Sequence, residues 1–323
     1  MKKRLILLLA LMLLLTGCGQ EDASGGEAQQ LIPKQTEAVG TEEPRQLNTV
    51  LFLEIKGLRV DYVLTALNPY ASYGEGAPAI NSQGADALAR WLRTENPLGK
   101  IEKFEEGLFA LDEENPFYTG WIGDANAYTK NVRLMITEEI ANTGMLQQIL
   151  PLFEAEYGYT VELVTVAEGQ AYMAAPLGNA DLILAPAPRE GELMPEENYF
   201  RQIPGFSEKQ IPLFYCPYVL CGPAEDPAGV GEMTDENISL LDGKLMGALK
   251  LIGEKQCYFI SRGDYSHVHQ AERSLWETVP EGEWYFAANT GMGPCLTIAE
   301  EMGGYVISDK LTWWIYEGQD GIL

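Results

Sequence analysis

Apolar and polar positions alternate in short blocks along this chain, and the period of each block predicts an element. Residues 49–55 read as a strand, and a second apolar run spans 60–67. Residues 82–94 repeat at helical spacing, with Ala85, Leu88, Ala89 and Leu92 in one stripe and Trp91 beside it. The string Asn96-Pro97-Leu98-Gly99 breaks that helix. A helical pattern resumes over 100–109, and an aromatic loop covers 116–121. A new βα unit opens with a strand over 132–136. Thr143 then caps a helix whose Met145, Leu146, Ile149, Leu150 and Phe153 face inward, with Pro151 inside it as a candidate kink. A strand over 160–166, a short helix opened by Glu168-Gly169-Gln170-Ala171, strands over 180–185 and 215–222, and a helix over 242–252 follow. Strands and helices of these lengths in alternation predict an α/β fold with a mixed sheet.

The pattern is most informative between Cys257 and Leu296. Cys257, Tyr258, Phe259 and Ile260 form an apolar, β-prone tetrad that runs into the polar turn Ser261-Arg262-Gly263-Asp264. A helix follows, with Ser266 as its N-cap and His269, Glu272 and Trp276 on one side. Strand, polar turn and helix N-terminus together present backbone N–H groups and one guanidinium to a small anion. The plainer alternative is an ordinary βα turn with a surface arginine. As a cell-adhesion tripeptide, Arg262-Gly263-Asp264 is read as coincidence.

The first residues give an address. Lys2, Lys3 and Arg4 precede an apolar run over 5–15 that is too short to span a bilayer. Leu15-Thr16-Gly17-Cys18 resembles a bacterial lipobox. That resemblance implies a signal peptide over 1–17, cleavage before Cys18, and lipidation of Cys18 as a stable anchor at the extracytoplasmic face of the cell membrane. A plain secretory signal with an incidental cysteine is the alternative. Residues 18–46 read as the lipidated cysteine and a flexible acidic tether, which leaves 47–323 as the folded part, long enough for two lobes. Losing Lys2, Lys3 and Arg4, with no acidic residue among the first 17, takes the net charge from −25 to −28. Such a chain is not drawn to nucleic acid or anionic lipid by its charge. Cys216, Cys221, Cys257 and Cys295 read as buried free thiols, with disulfide pairing in an exported chain as the alternative. No Cys-x-x-Cys or Cys/His cluster supports a structural metal, and no cofactor is predicted.

From Val132 to the C-terminus a series of strings accumulates. They are TGMLQQILPLFEAEYGYTV at 143–161, EGQA at 168–171, GNADLILAPAP at 178–188, YVLCGPAEDPAGV at 218–230, SRGDYSHVHQAE at 261–272 and TGMG at 290–293. In this order and spacing they are similar to the tungstate/molybdate-type substrate-binding proteins of ABC importers, members of the periplasmic-binding-protein class. The resemblance implies a two-lobed fold with mixed sheets flanked by helices and a ligand cleft between the lobes. It implies capture of a small solute for an ABC permease, and no catalysis. The family's usual C-terminal continuation resembles residues 49–121 here, through Asn68-Pro69-Tyr70, Ala87 to Leu92 and Pro116-Phe117-Tyr118. The chain is therefore expected to be a circular permutant, with 47–130 equivalent to the family's C-terminal segment and 131–323 to its N-terminal body. A remnant of a tandem duplication is the rival. The expectation brings residues 50–55 close to Ile322, and packs residues 49–121 on the body rather than as an independent domain.

The site implied by the resemblance comprises Thr137, Glu138, Glu139, Glu168, Ser261, Arg262, Ser266, His267, Thr290 and Gly291. It departs from the family's Thr/Ser-rich pattern, because Glu138, Glu139 and Glu168 stand where hydroxyl donors would hold an oxyanion. A carboxylate about 5 Å from a single negative charge costs about 3 kcal/mol at an effective dielectric of about 20. An oxyanion held by Arg262 and backbone amides, and a cationic or zwitterionic solute held by the glutamates, both stand at this point, and three carboxylates against one guanidinium favour the second. The glutamates can also cap the following helix or face solvent. His269 is expected to orient the loop through a neighbour such as Glu272, while His267 replaces a small residue near the cleft. A lipid-anchored ligand sensor is the alternative to an importer component. A hydrolase built on Ser261 or Ser266 with His269 lacks a nucleophile-elbow string.

Overall fold

A computed structural model describes residues 48–104, 108–111, 129–167, 170–187, 210–232, 243–276 and 278–318. Strand Thr49–Ala66 (β1) leads to helices Ser82–Leu92 (α1) and Glu95–Lys103 (α2) and the short strand Ala110–Leu111 (β2). Next come Asn131–Thr137 (β3), Glu138–Asn142 (α3), Met145–Tyr157 (α4), Thr160–Val166 (β4), Gln170–Ala174 (α5) and Leu182–Pro186 (β5). The remainder is Gln210–Pro223 (β6), Gly243–Lys255 (α6), Phe259–Ser261 (β7), His267–Leu275 (α7), Tyr285–Ala287 (β8), Met292–Met302 (α8), Tyr305–Asp309 (β9) and Lys310–Gly318 (α9).

The described strands form one mixed sheet in the order β4-β3-β5-β1-β6-β9-β7-β8, with β2 beside β6. β3 runs parallel to β4 and β5, and β7 runs parallel to β8 and β9. β1 and β6 are antiparallel to each other, and they carry the sheet from one half to the other. The last residues of β1, Tyr62 to Ala66, pair with β5. Its first residues, Thr49 to Ile55, pair with the far end of β6, where Tyr218 to Cys221 also pair with β9. Midway, Ile55 lies opposite Tyr218 and Arg59 opposite Pro217, so β1 carries additional residues there without partners on β6. Such a bulge bends a strand and increases its twist. The two predicted runs are thus one strand, bent where the pattern suggested a gap.

Alternation sorts the core onto the two faces of the sheet. Leu64, Leu134, Ile136, Leu182 and Leu184 join one apolar cluster, and Met135, Ile183 and Ala185 join the other. The first is covered by α1 and α4 through Leu88, Leu92, Leu146, Ile149 and Phe153, and it runs on into Phe259, Val306 and Leu311 of the other half. The second is covered by Ala171 and Tyr172 of α5. The predicted stripe of α1 is fully buried. Asn81 caps α1 by accepting from the Gly84 amide, and its own Nδ2 donates to the carbonyls of Thr129 and Asn131. Its amide donates to Asp181, whose carboxylate is also gripped by Arg133. The described residues before β3 therefore share the core of those after it. The expected approach of residues 50–55 to Ile322 falls on a chain end outside the described residues.

Three local departures have simple causes. The predicted break at Asn96-Pro97 lies inside α2, where Pro97 is the third helical residue and its missing N–H would have no intrahelical acceptor. β6 begins at Gln210 rather than 215. Its Pro212 and Pro217 sit beside two of the three register shifts along β1 and β6, where ladder bonds are already interrupted. Gly144, not Thr143, takes the cap position of α4, in a left-handed conformation (φ +70°), while the Thr143 hydroxyl accepts from the Met145 amide at 3.1 Å.

Candidate functional site

Open α/β sheets bind ligands at the carboxyl ends of their parallel strands, and in this sheet the β3–β4–β5 set and the β7–β8–β9 set run in opposite directions, because the β5–β1, β1–β6 and β6–β9 pairs are all antiparallel. Here those ends are Thr137 on β3, Val166 on β4, Ser261 on β7 and Ala287 on β8.

The loop after β7 is held by its own side chains. Asp264 takes the Nε of Arg262 with one carboxylate oxygen at 2.7 Å and the Ser266 amide with the other at 3.0 Å. Arg262 is nearly buried, with its side chain 8% exposed. Gly263 has φ +73°, and a Cβ there would stand 3.1 Å from that of Ala287 and 3.2 Å from the Asn289 amide, so only glycine lets the two loops lie this close. The Ala288 amide donates to the Ser261 carbonyl at 2.9 Å. Tyr265 has a left-handed backbone (φ +62°), and its amide donates to His269 Nδ1 at 2.8 Å. Ser266 caps α7 as predicted, accepting from the His269 amide.

His269 thus orients the loop, but through the Tyr265 amide and not through Glu272. Burial holds its imidazole below the ordinary histidine range, which suits a neutral Nδ1 acceptor. Glu272 is buried and gathers three donors: Ser261 Oγ at 2.5 Å, Tyr285 OH at 2.7 Å and Trp276 Nε1 at 2.9 Å. Burial raises its pKa, and the three hydrogen bonds partly offset that rise. This hub joins β7, β8 and α7 beneath the arginine loop. The sequence reading placed Glu272 only as a neighbour of His269; Trp276 one turn on was the signal for more.

Ser261, Arg262, Ser266, Thr290 and Gly291 come together in these two adjoining loops. Thr290 is half-buried and Gly291 takes the cap position of α8, with the Cys295 thiol pointing to the Thr290 carbonyl at 3.8 Å. Thr137 lies at the end of β3 in the other half of the sheet, fully buried at the start of α3, and its hydroxyl has no hydrogen-bond partner among the described residues. Glu138 is exposed and Glu139 half-buried. His267, on the first turn of α7, donates Nε2 to the carbonyl of Ala187, just past β5, at 3.0 Å. Glu168 and Cys18 lie outside the described residues.

Neither Ser261 nor Ser266 is hydrogen-bonded to an imidazole: the first donates to Glu272 and the second caps a helix. A serine nucleophile needs that base. Among the described residues no group of three or more His, Cys, Asp and Glu is placed to hold a metal ion. Cys216, Cys221, Cys257 and Cys295 are free thiols, and burial pushes Cys295 up to about 12. No helix of the described residues is long and apolar enough to cross a membrane.

The chain is 34% identical over 186 residues to the tungstate-binding protein TupA of Peptoclostridium acidaminophilum, which covers 57% of this chain and 60% of that protein. It is 31% identical over 185 residues to the tungstate-binding protein TupA of Campylobacter jejuni, covering 55% and 62%. The chain therefore spans about three-fifths of the length of these relatives. The solved structure of the tungstate ABC transporter from Geobacter sulfurreducens matches at 30% identity with a TM-score of 0.48, over 58% of this chain and 75% of that one. The PBP superfamily domain matches residues 126–321, more than half of the sequence. On that match the chain belongs to the PBP superfamily, the periplasmic-binding-protein class.

Proposed function

We propose that this chain is the solute-binding component of an ABC importer and that its solute is an oxyanion of the tungstate type. The observation that carries the reading is the Thr137 hydroxyl, buried at the carboxyl end of β3 and without a partner among the described residues. Leaving such a group unsatisfied costs about 1–3 kcal/mol, and an oxyanion seated there supplies the missing acceptor. Arg262, on the loop after β7, supplies positive charge, and Ser266, Thr290 and Gly291 supply hydroxyls and helix N-termini. The Asp264 contact fixes the guanidinium, at some cost in net attraction. Glu138 is exposed, so water screens most of the repulsion it would exert on an anion. The similarity to tungstate-binding proteins supports the same ligand class.

Thermal shift against tungstate, molybdate, divalent cations and polar metabolites tests the reading. Stabilisation by the two oxyanions is the expected result, and stabilisation by cations alone would overturn it. Thr137→Val keeps the shape and removes the hydroxyl. It should weaken oxyanion binding about fivefold, the worth of about 1 kcal/mol, while leaving the unliganded protein as stable or slightly more so. Unchanged affinity would place the anion elsewhere.

The same reading puts the protein outside the membrane, anchored through lipid on Cys18 and delivering its solute to a permease. The lipobox-like Leu15-Thr16-Gly17-Cys18 motivates it.

A further inference from the structure

We infer that His267 is a positioning residue that latches the two halves of the sheet together and so sets how long a solute stays bound. β1 and β6 are the strands that cross between the halves, and β1 is bulged between Ile55 and Arg59 at the crossing. The halves are joined by these rails and by the apolar cluster that runs through both, and a rotation about the rails is a hinge-type domain motion. His267 belongs to α7, on the side of β7 and β8, whereas Ala187 follows β5 on the side of β3 and β4. The bond from His267 Nε2 to the Ala187 carbonyl, at 3.0 Å, therefore spans the halves beside the crossing. The same residue is tied on its other side, since the Ala187 amide donates to the Asp61 carbonyl of β1 at 2.7 Å. One peptide thus connects the strand at the crossing to the first turn of α7.

That turn starts one residue after Ser266, at the end of the loop that holds Arg262. His267 is 7% exposed, so the bond is partly shielded from competing water. A carbonyl only accepts, so Nε2 carries the proton, which it does in the neutral Nε2–H tautomer and in the imidazolium alike. Rotation of the halves about β1 and β6 breaks this bond. The latch is formed in the closed arrangement and lost in the open one, and a contact of that kind shifts the equilibrium by its own worth.

The kinetic part rests on the oxyanion reading above, and the structural part does not. On the full chain, His267→Ala and His267→Phe remove the donor, while His267→Gln keeps a side-chain N–H in reach of Ala187. With tungstate as the probe in stopped-flow fluorescence, the first two should raise koff about fivefold to tenfold with little change in kon, and the Gln variant should restore most of the loss. Small-angle scattering of the unliganded proteins should show the Ala and Phe variants more expanded than wild type and the Gln variant close to it. Unchanged scattering in both donor-less variants would overturn the latch, whether or not tungstate binds. If tungstate binds to none of the proteins while the scattering differs as expected, the ligand assignment falls and the latch stands.

Discussion

Left-handed backbone at a residue other than glycine is uncommon, and at Tyr265 it is held by an imidazole. His269 Nδ1 accepts the Tyr265 amide, and it does so only while that nitrogen is unprotonated. Burial is the largest influence on His269 and lowers its pKa; Asp264 opposes, while Arg273 and Arg262 reinforce. The sign follows directly. In the unfolded chain the ring takes its proton near 6.5, and in the fold only below that. The stability it contributes is therefore complete above about pH 6.5 and lost as the pH falls through the depressed folded value. NMR titration of the two histidines, assigned by a His267→Gln variant, should place the His269 midpoint below 6.5. A midpoint above 6.5 would mean that Asp264, rather than burial, governs the ring. Such acidification would release the Tyr265 amide and loosen the loop that carries Arg262.

Elements of regular period were legible in the sequence, and those that depend on tertiary context were not. The α1 stripe, the β3 and β4 strands and the Ser266 cap of α7 follow from spacing and side-chain chemistry alone. The continuity of β1 and the early start of β6 do not, because bulges and the prolines Pro212 and Pro217 look like breaks until partner strands supply the register. Of the site, the cluster around Arg262 was readable as a motif. The Glu272 hub needs Tyr285 from a neighbouring strand, and the His267–Ala187 bond joins residues 80 apart, so neither has a local signature. α1 also shows how a helix is fitted to its sheet. A Cβ on Gly84 would lie 2.4 Å from Val132 Cγ2 and 2.7 Å from Asn81 Nδ2. Gly84→Ala should therefore push α1 off β3 and disturb the Asn81 cap, costing about 1–3 kcal/mol in a urea melt. A neutral or stabilising outcome would contradict this packing, since alanine is intrinsically the better helix former.

At the scale of the molecule, one core runs through both halves, and strands of opposite origin meet at β1 and β6. The site proposed above would draw on both halves of the sheet, with Thr137 on one side and Arg262 on the other. The proposed anchor belongs to the same scale, because it decides where the site works. Mass spectrometry of the mature protein should find Cys18 as an acylated N-terminus, and Cys18→Ala should leave the leader uncleaved; a mature terminus without an acyl chain would contradict the anchor. The central claim, oxyanion capture, is tested most directly by calorimetry with tungstate and molybdate. The comparison is between the full chain and a Glu138→Ser/Glu139→Thr/Glu168→Thr variant. Saturable one-site binding of both anions by the unaltered protein is the expected result. No binding by the unaltered protein, with binding gained only in the variant, would show that the glutamates exclude the anion and would contradict it.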